Sequence, residues 1–227
     1  PTQITMPRRK APGLSPLTSA IDQNAPFPIG LLDELFAELA EGSPNKQELL
    51  LLITTKQDSS ILMSLTSLNL SGAYLGDKKA DFFKALFTMS NLTSLKLNGS
   101  RIGDDDAKTL AAFTTLTNLT SLNLGYNWIG PDGAQALAAS PALTKLASLN
   151  LDHNNIRDNG VQALAASTTL TNLTSLNLYN NGLGADGAEA LATSKTLTNL
   201  TSLNLEYNGI GDDGVEAVKT RYPFALF

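Results

Sequence analysis

The chain has 227 residues, 42% of them hydrophobic and only 16% charged, with a net charge of −5 and its acids and bases scattered. That apolar fraction is enough for a buried core, and the lack of a basic footprint argues against nucleic acid as a partner. With no cysteine there are no disulfides, thiolate metal sites or cysteine nucleophiles, which suits a reducing cytosol, and the apolar run from Leu49 to Ile53 is far too short to span a membrane.

The first 25 residues predict a flexible, Pro-rich segment: six of the ten prolines lie within the first 28 positions, among Arg8, Arg9 and Lys10. Residues 26–64 predict a helical N-terminal cap. Leu31, Leu32, Leu35, Phe36 and Leu39 fall at helical spacing with Asp33 and Glu34 near the start. Gly42, Ser43 and Pro44 break that helix, and a second apolar helix begins near Asn45.

From Leu65 onward the chain repeats. The leucines Leu65, Leu92, Leu119, Leu146, Leu173 and Leu200 are spaced by 27, which predicts six stacked units over residues 65–227. One unit reads LTSLNLGYNWIGPDGAQALAASPALTK (Leu119 to Lys145). LTSLNL alternates apolar and polar residues and predicts a strand. GYNWIGPDG supplies turn residues, and GAQALAAS predicts a short helix. Asp132, Asp186 and Asp213 stand where they could cap the helix N-termini. Stacking such units predicts a curved parallel sheet inside and helices outside. The last unit ends RYPFALF, where Pro223 stops the helix and the apolar Phe224, Leu226 and Phe227 predict a C-terminal cap or the start of a further domain. Glycosylation-type triplets at Asn91, Asn118, Asn172 and Asn199 recur with the unit and are read as structural.

The unit resembles a known family. Leu-x-x-Leu-x-Leu-x-x-Asn-x-Ile/Leu, the leucine-rich repeat signature, is carried by Leu119-Leu122-Leu124-Asn127-Ile129 and Leu146-Leu149-Leu151-Asn154-Ile156. Leu173-Leu176-Leu178-Asn181-Leu183 and Leu200-Leu203-Leu205-Asn208-Ile210 carry it too, whereas Ala73 and Ser100 replace the Asn in the first two units. The period, together with GAQALA, GVQALA and GAEALA in the helices, resembles the ribonuclease-inhibitor-like class and the GALA repeats of bacterial effectors. The resemblance implies an α/β leucine-rich repeat solenoid. It also implies that the repeated Asn bonds the backbone of the turn and is framework rather than site.

Counting places from each anchoring leucine, place three is always Ser and place five is Asn except for Lys96, while places seven, eight and ten vary. The sole Trp, the sole His and four of the five Tyr fall in those three columns. Aromatic residues and Arg are the usual anchors of interfaces, so the candidate protein-binding residues are Tyr74, Arg101, Tyr126, Trp128, Asp152, His153, Tyr179, Glu206 and Tyr207. The alternative is that these loop positions drift and the rings pack on neighbouring turns. His153 beside Asp152 reads as a surface contact rather than a metal or catalytic pair, and Asp104-Asp105-Asp106 and Asp212-Asp213 lack the spacing of a calcium loop. No cofactor, metal or catalytic residue is expected, and the chain is expected to be a monomer that binds protein. The resemblance implies the recognition part of a bacterial effector, secreted into a host cytoplasm and acting on host proteins. Two alternatives stand beside it. One is an F-box-like adaptor for ubiquitin ligation, built on Phe27-Pro28, Leu31, Leu32, Glu34, Leu35, Phe36 and Leu39. The other is the substrate-recognition domain of a larger enzyme.

Overall fold

Every unit places its Ser-Leu-Asn or Ser-Leu-Lys triplet in the same ladder. The strands are β1 (Ser67–Asn69), β2 (Ser94–Lys96), β3 (Ser121–Asn123), β4 (Ser148–Asn150), β5 (Ser175–Asn177) and β6 (Ser202–Asn204). They form one parallel sheet in sequence order, and each residue pairs with its equivalent 27 positions on, as in Leu122 with Leu149. The computed structural model describes residue 50, residues 53–54 and residues 60–227.

The predicted six-residue strands shorten to three, although flanking backbone bonds such as Thr93 N–H to Thr66 O (2.8 Å) and Leu97 N–H to Asn123 O (2.8 Å) continue the pairing. Outside the sheet lie α1 (Ser60–Ser64), α2 (Lys79–Leu86), α3 (Asp104–Ala111), α4 (Pro131–Ala138), α5 (Arg157–Ala165), α6 (Ala185–Ala192) and α7 (Gly211–Arg221). Helices are about 10 Å across while neighbouring strands sit about 4.8 Å apart, so stacking both in one array bends the sheet onto the inner face.

The leucines of places one, four and six are buried throughout units two to six, as are the Ile or Leu of place eleven and the inward Ala, Val and Leu of the helices. At place fifteen the helix approaches so closely that a Cβ on Gly160 would lie 2.6 Å from Ile156 Cγ2, which is why glycine stands there. Leu50, Ile53 and Leu62 join the same core. The segment expected to be flexible, the first helix of the expected cap and the F-box-like residues lie outside the described residues.

Three polar ladders join unit to unit, satisfying backbone groups that a buried turn would otherwise leave unpaired. Asn127, 4% exposed, accepts from the N–H groups of Ser100 (3.0 Å) and Ile102 (2.9 Å) and donates to the carbonyls of Leu97, Leu124 and Gly125. Asn154, Asn181 and Asn208 repeat this role. The Ser140, Ser167 and Ser194 hydroxyls donate to carbonyls of the preceding helix ends. On the flank, Asn91, Asn118, Asn172 and Asn199 donate their amide nitrogens to backbone carbonyls of the preceding unit at 2.7–3.1 Å. That is the structural employment expected of those four triplets.

The expected helix caps are corrected. No side-chain cap bond comes from Asp132, Asp186 or Asp213. Instead the unit before supplies the acceptor: Asp104 Oδ1 takes the N–H groups of Gly130 (2.7 Å) and Gly133 (2.8 Å) at the start of α4. Asp158 does the same for Gly184 and Gly187 at α6. Where the preceding unit carries Pro131 or Ala185 at that position, the first residue of the helix is left-handed instead, at Arg157 (φ 54°) and Gly211 (φ 69°). Asp132 lies beyond bonding range of these N–H groups and pairs with Lys108 across the unit boundary at 3.2 Å.

The edge of β6 is covered by the chain's own last residues. Leu205 N–H donates to Leu226 O and Leu226 N–H to Leu203 O, both at 2.9 Å. Beneath them the hydroxyl of Tyr222 donates to Leu197 O, and burial pushes its phenol above the ordinary value.

Candidate functional site

The site grows out of how each strand ends. The place-five Asn accepts the N–H of place seven: Asn123 from Gly125, Asn150 from Asp152, Asn177 from Tyr179 and Asn204 from Glu206, at 2.9–3.0 Å. This turn lifts the backbone out of the sheet and puts place eight in the left-handed region in every unit. The φ angles are 75° at Gly72, 70° at Gly99, 53° at Tyr126, 50° at His153, 50° at Asn180 and 57° at Tyr207.

Left-handed backbone suits Gly and Asn but costs a bulky L-residue roughly 1–2 kcal/mol. Tyr126, His153 and Tyr207 stand there nonetheless. The next unit holds the first two in place, as Tyr126 N–H donates to Asp152 O (2.7 Å) and His153 N–H to Tyr179 O (2.9 Å).

The rings line up along the stack. Tyr126 and His153 are stacked with centroids 3.9 Å apart and planes inclined by 15°. His153 to Tyr179 is 4.9 Å and Tyr179 to Tyr207 is 4.7 Å. Yet the end members remain open, with Tyr126 57% and Tyr207 74% exposed. A second, shorter row runs through place ten: the Arg101 guanidinium lies 4.8 Å from the Tyr74 ring and 5.8 Å from that of Trp128, which is 66% exposed.

Two carboxylates complete the arrangement. Asp152 leans across Gly125, whose missing Cβ leaves it room, and its Oδ2 lies 3.2 Å from His153 Nδ1. Glu206 accepts from Asn204 Nδ2 at 3.2 Å. Tyr179 stands between them in the place-seven row. Desolvation, with lesser contributions from neighbouring Tyr207 and the Glu206 charge, holds its phenol above the usual value.

The structure thus gathers Tyr126, Asp152, His153, Tyr179, Glu206 and Tyr207 into one row, and Tyr74, Arg101 and Trp128 into another beside it. Among the described residues no group of three or more His, Cys, Asp or Glu is placed to hold a metal ion, and no helix is long and apolar enough to cross a membrane. Asp106 pairs with Lys79 at 2.8 Å and accepts the Gly103 N–H, while Asp104 caps α4.

Sequence reasoning passed over one feature of the helical face. A cavity of about 730 Å³ opens between α2 and α3, lined by Phe83, Phe87 and Phe113 with Lys79 and Lys84 among its polar edges. Phe113 meets the other two rings edge-on at 6.1 and 5.6 Å. A cluster of phenylalanines confined to the first two units was the available signal.

Five stretches match the family model described as Leucine Rich repeat: residues 88–111, 115–138, 142–165, 169–192 and 196–219. The sequence matches no protein of curated function. Among solved structures it is similar to an internalin from Listeria monocytogenes strain 4b F2365, at 23% identity and a TM-score of 0.38. That match covers 85% of this chain, which spans 60% of the internalin chain.

Proposed function

The chain belongs to the leucine-rich repeat family, and on that premise we propose that it is a protein-recognition module whose binding face is the aromatic row of the inner sheet rim. The observation that carries this reading is the placement of exposed Tyr126 and Tyr207 on left-handed backbone, where glycine would be unstrained. Large rings fixed by their neighbours give contact area with little side-chain entropy left to lose, which is what interface anchors need.

The finer reading is the recognition part of a bacterial effector acting on host proteins in the host cytoplasm. It is supported by the likeness of the helical GAQALA, GVQALA and GAEALA segments to effector repeats and by the absence of cysteine.

The test is a pull-down from plant and animal cell extracts with the wild type and a Tyr126→Ala/Trp128→Ala/Tyr179→Ala/Tyr207→Ala variant matched for folding by circular dichroism. A host protein retained by the wild type and lost by the variant is the expected result. A partner held equally by both proteins, or none from either, refutes the assignment.

A further inference from the structure

The basic side chains of the first units differ in what answers them. Lys79 pairs with Asp106 at 2.8 Å and Lys108 with Asp132 at 3.2 Å. Arg101, exposed at the rim of the inner sheet, has no carboxylate within ion-pair distance among the described residues.

What holds Arg101 is aromatic. Its guanidinium lies over the rings of Tyr74 and Trp128, so it bridges the place-ten residues of the units on either side. The backbone beneath is fixed: the Arg101 carbonyl accepts from Lys79 Nζ at 3.3 Å, and Trp128 N–H donates to Ile102 O at 2.8 Å. Ring contacts position a guanidinium but give it no hydrogen-bond acceptor, so its N–H donors are left for water or a partner. The two rings are themselves more than half exposed, which makes an apolar wall on each side of the cation. A cation flanked by an open Trp and Tyr is the composition of an interface anchor.

The counterpart that fits is an anion, and the number of cations sets its size. In residues 66–72 and 93–99, the inner face of units one and two, the one charged side chain is Lys96, and there is no Asp or Glu. Phosphorylated motifs are met by Arg clusters and nucleic acid by a broad basic surface. Here a single guanidinium stands with one lysine on a chain of net charge −5. One carboxylate matches one guanidinium fork in both charge and geometry.

We propose that Arg101, held between Tyr74 and Trp128, receives an Asp or Glu side chain of the protein partner, with a neighbouring apolar residue of that partner lying on Trp128. The inference rests on the protein-recognition reading and narrows it: the partner segment over units one to three is acidic and apolar.

Trp128 is the sole tryptophan of the chain, so its emission reports on this spot. The full chain is titrated with capped Gly-Leu-Glu-Leu-Gly, and with counterparts carrying Gln, Lys or phosphoserine in place of Glu, up to about 10 mM, past the range expected for one anchored residue pair. The Glu peptide is expected to shift the emission saturably and to bind about tenfold tighter than the Gln peptide, with the advantage shrinking as salt rises. In Arg101→Gln, checked for folding by circular dichroism, the Glu and Gln peptides should bind alike, a loss of discrimination that a merely structural Arg101 would not produce. Lys195→Gln removes the same charge from an exposed site beyond the end of α6 and should leave the preference intact. Equal binding of Glu and Gln peptides to the wild type, tighter binding of the Lys or phosphoserine peptide, an unchanged Glu preference in Arg101→Gln, or no emission change with any peptide would overturn the proposal. If it is overturned while the four-alanine variant still loses a partner from extracts, the recognition reading stands and the acidic anchor alone falls. If extracts also yield no partner, both readings fall.

Discussion

Replacing Asn127 by alanine tests the framework at its most loaded point. The Asn127 side chain makes five hydrogen bonds, two accepted and three donated, while 4% exposed. Truncation removes almost no apolar contact, so the cost is that of orphaned polar groups. The N–H groups of Ser100 and Ile102, residues 0% and 1% exposed, would lose their shared acceptor. At roughly 1–3 kcal/mol for each buried unsatisfied donor, the expected loss is about 3–5 kcal/mol. Asn127→Asp keeps the acceptor but sets a carboxylate against three carbonyls, and should destabilise at least as much. Asn154→Ala should cost less, because its oxygen accepts a single strong bond, from Ile129 N–H at 2.9 Å. Urea unfolding followed by far-ultraviolet circular dichroism gives the totals, and native-state hydrogen exchange should show the Ser100 and Ile102 amides deprotected. A loss below about 1 kcal/mol with both amides still protected would refute the ladder argument.

Leu149, 1% exposed at the middle of the stack, should cost roughly 2–5 kcal/mol as Leu149→Ala in the same unfolding assay. Tyr126→Ala and Trp128→Ala, at 57% and 66% exposed, should each change stability by less than about 1 kcal/mol while reducing partner capture. Asp104→Ala should cost about 1–2 kcal/mol and fray α4, a helix of the next unit, which exchange at Gly130 and Gly133 would reveal. In Gly125→Ala the new methyl would collide with the Asp152 carboxylate. That should displace the acid from His153 and reduce partner capture with melting nearly unchanged; unaltered capture would separate Asp152 from binding.

The fold was legible because it is written six times. A leucine at places one, four and six, a turn, then an Ala- and Leu-rich helix can be buried in one way only, by stacking against a copy. The Asn ladder was equally open to reading, since a buried amide in every turn must serve the backbone. The left-handed column was half legible: Gly72, Gly99 and Asn180 mark place eight as a position of positive φ, and Tyr126, His153 and Tyr207 are the exceptions in that column. The cap assignment failed for a physical reason. Asp132 lies in the first turn of its own helix, but the N–H groups it was expected to serve are reached from the neighbouring unit by Asp104.

By itself, then, the sequence determined the period, the strand–turn–helix unit, the buried columns and the set of residues varied on a constant frame. Those follow from local pattern and from the need of each unit to cover its apolar face. What only the tertiary structure decided is which variable side chains meet. Residues 26–28 positions apart in sequence come to lie about 4.8 Å apart across the ladder, so Tyr126 stacks on His153, His153 approaches Tyr179, and Asp152 and Glu206 flank a ring. Adjacency of that kind is set by the register of stacking, which no single unit contains.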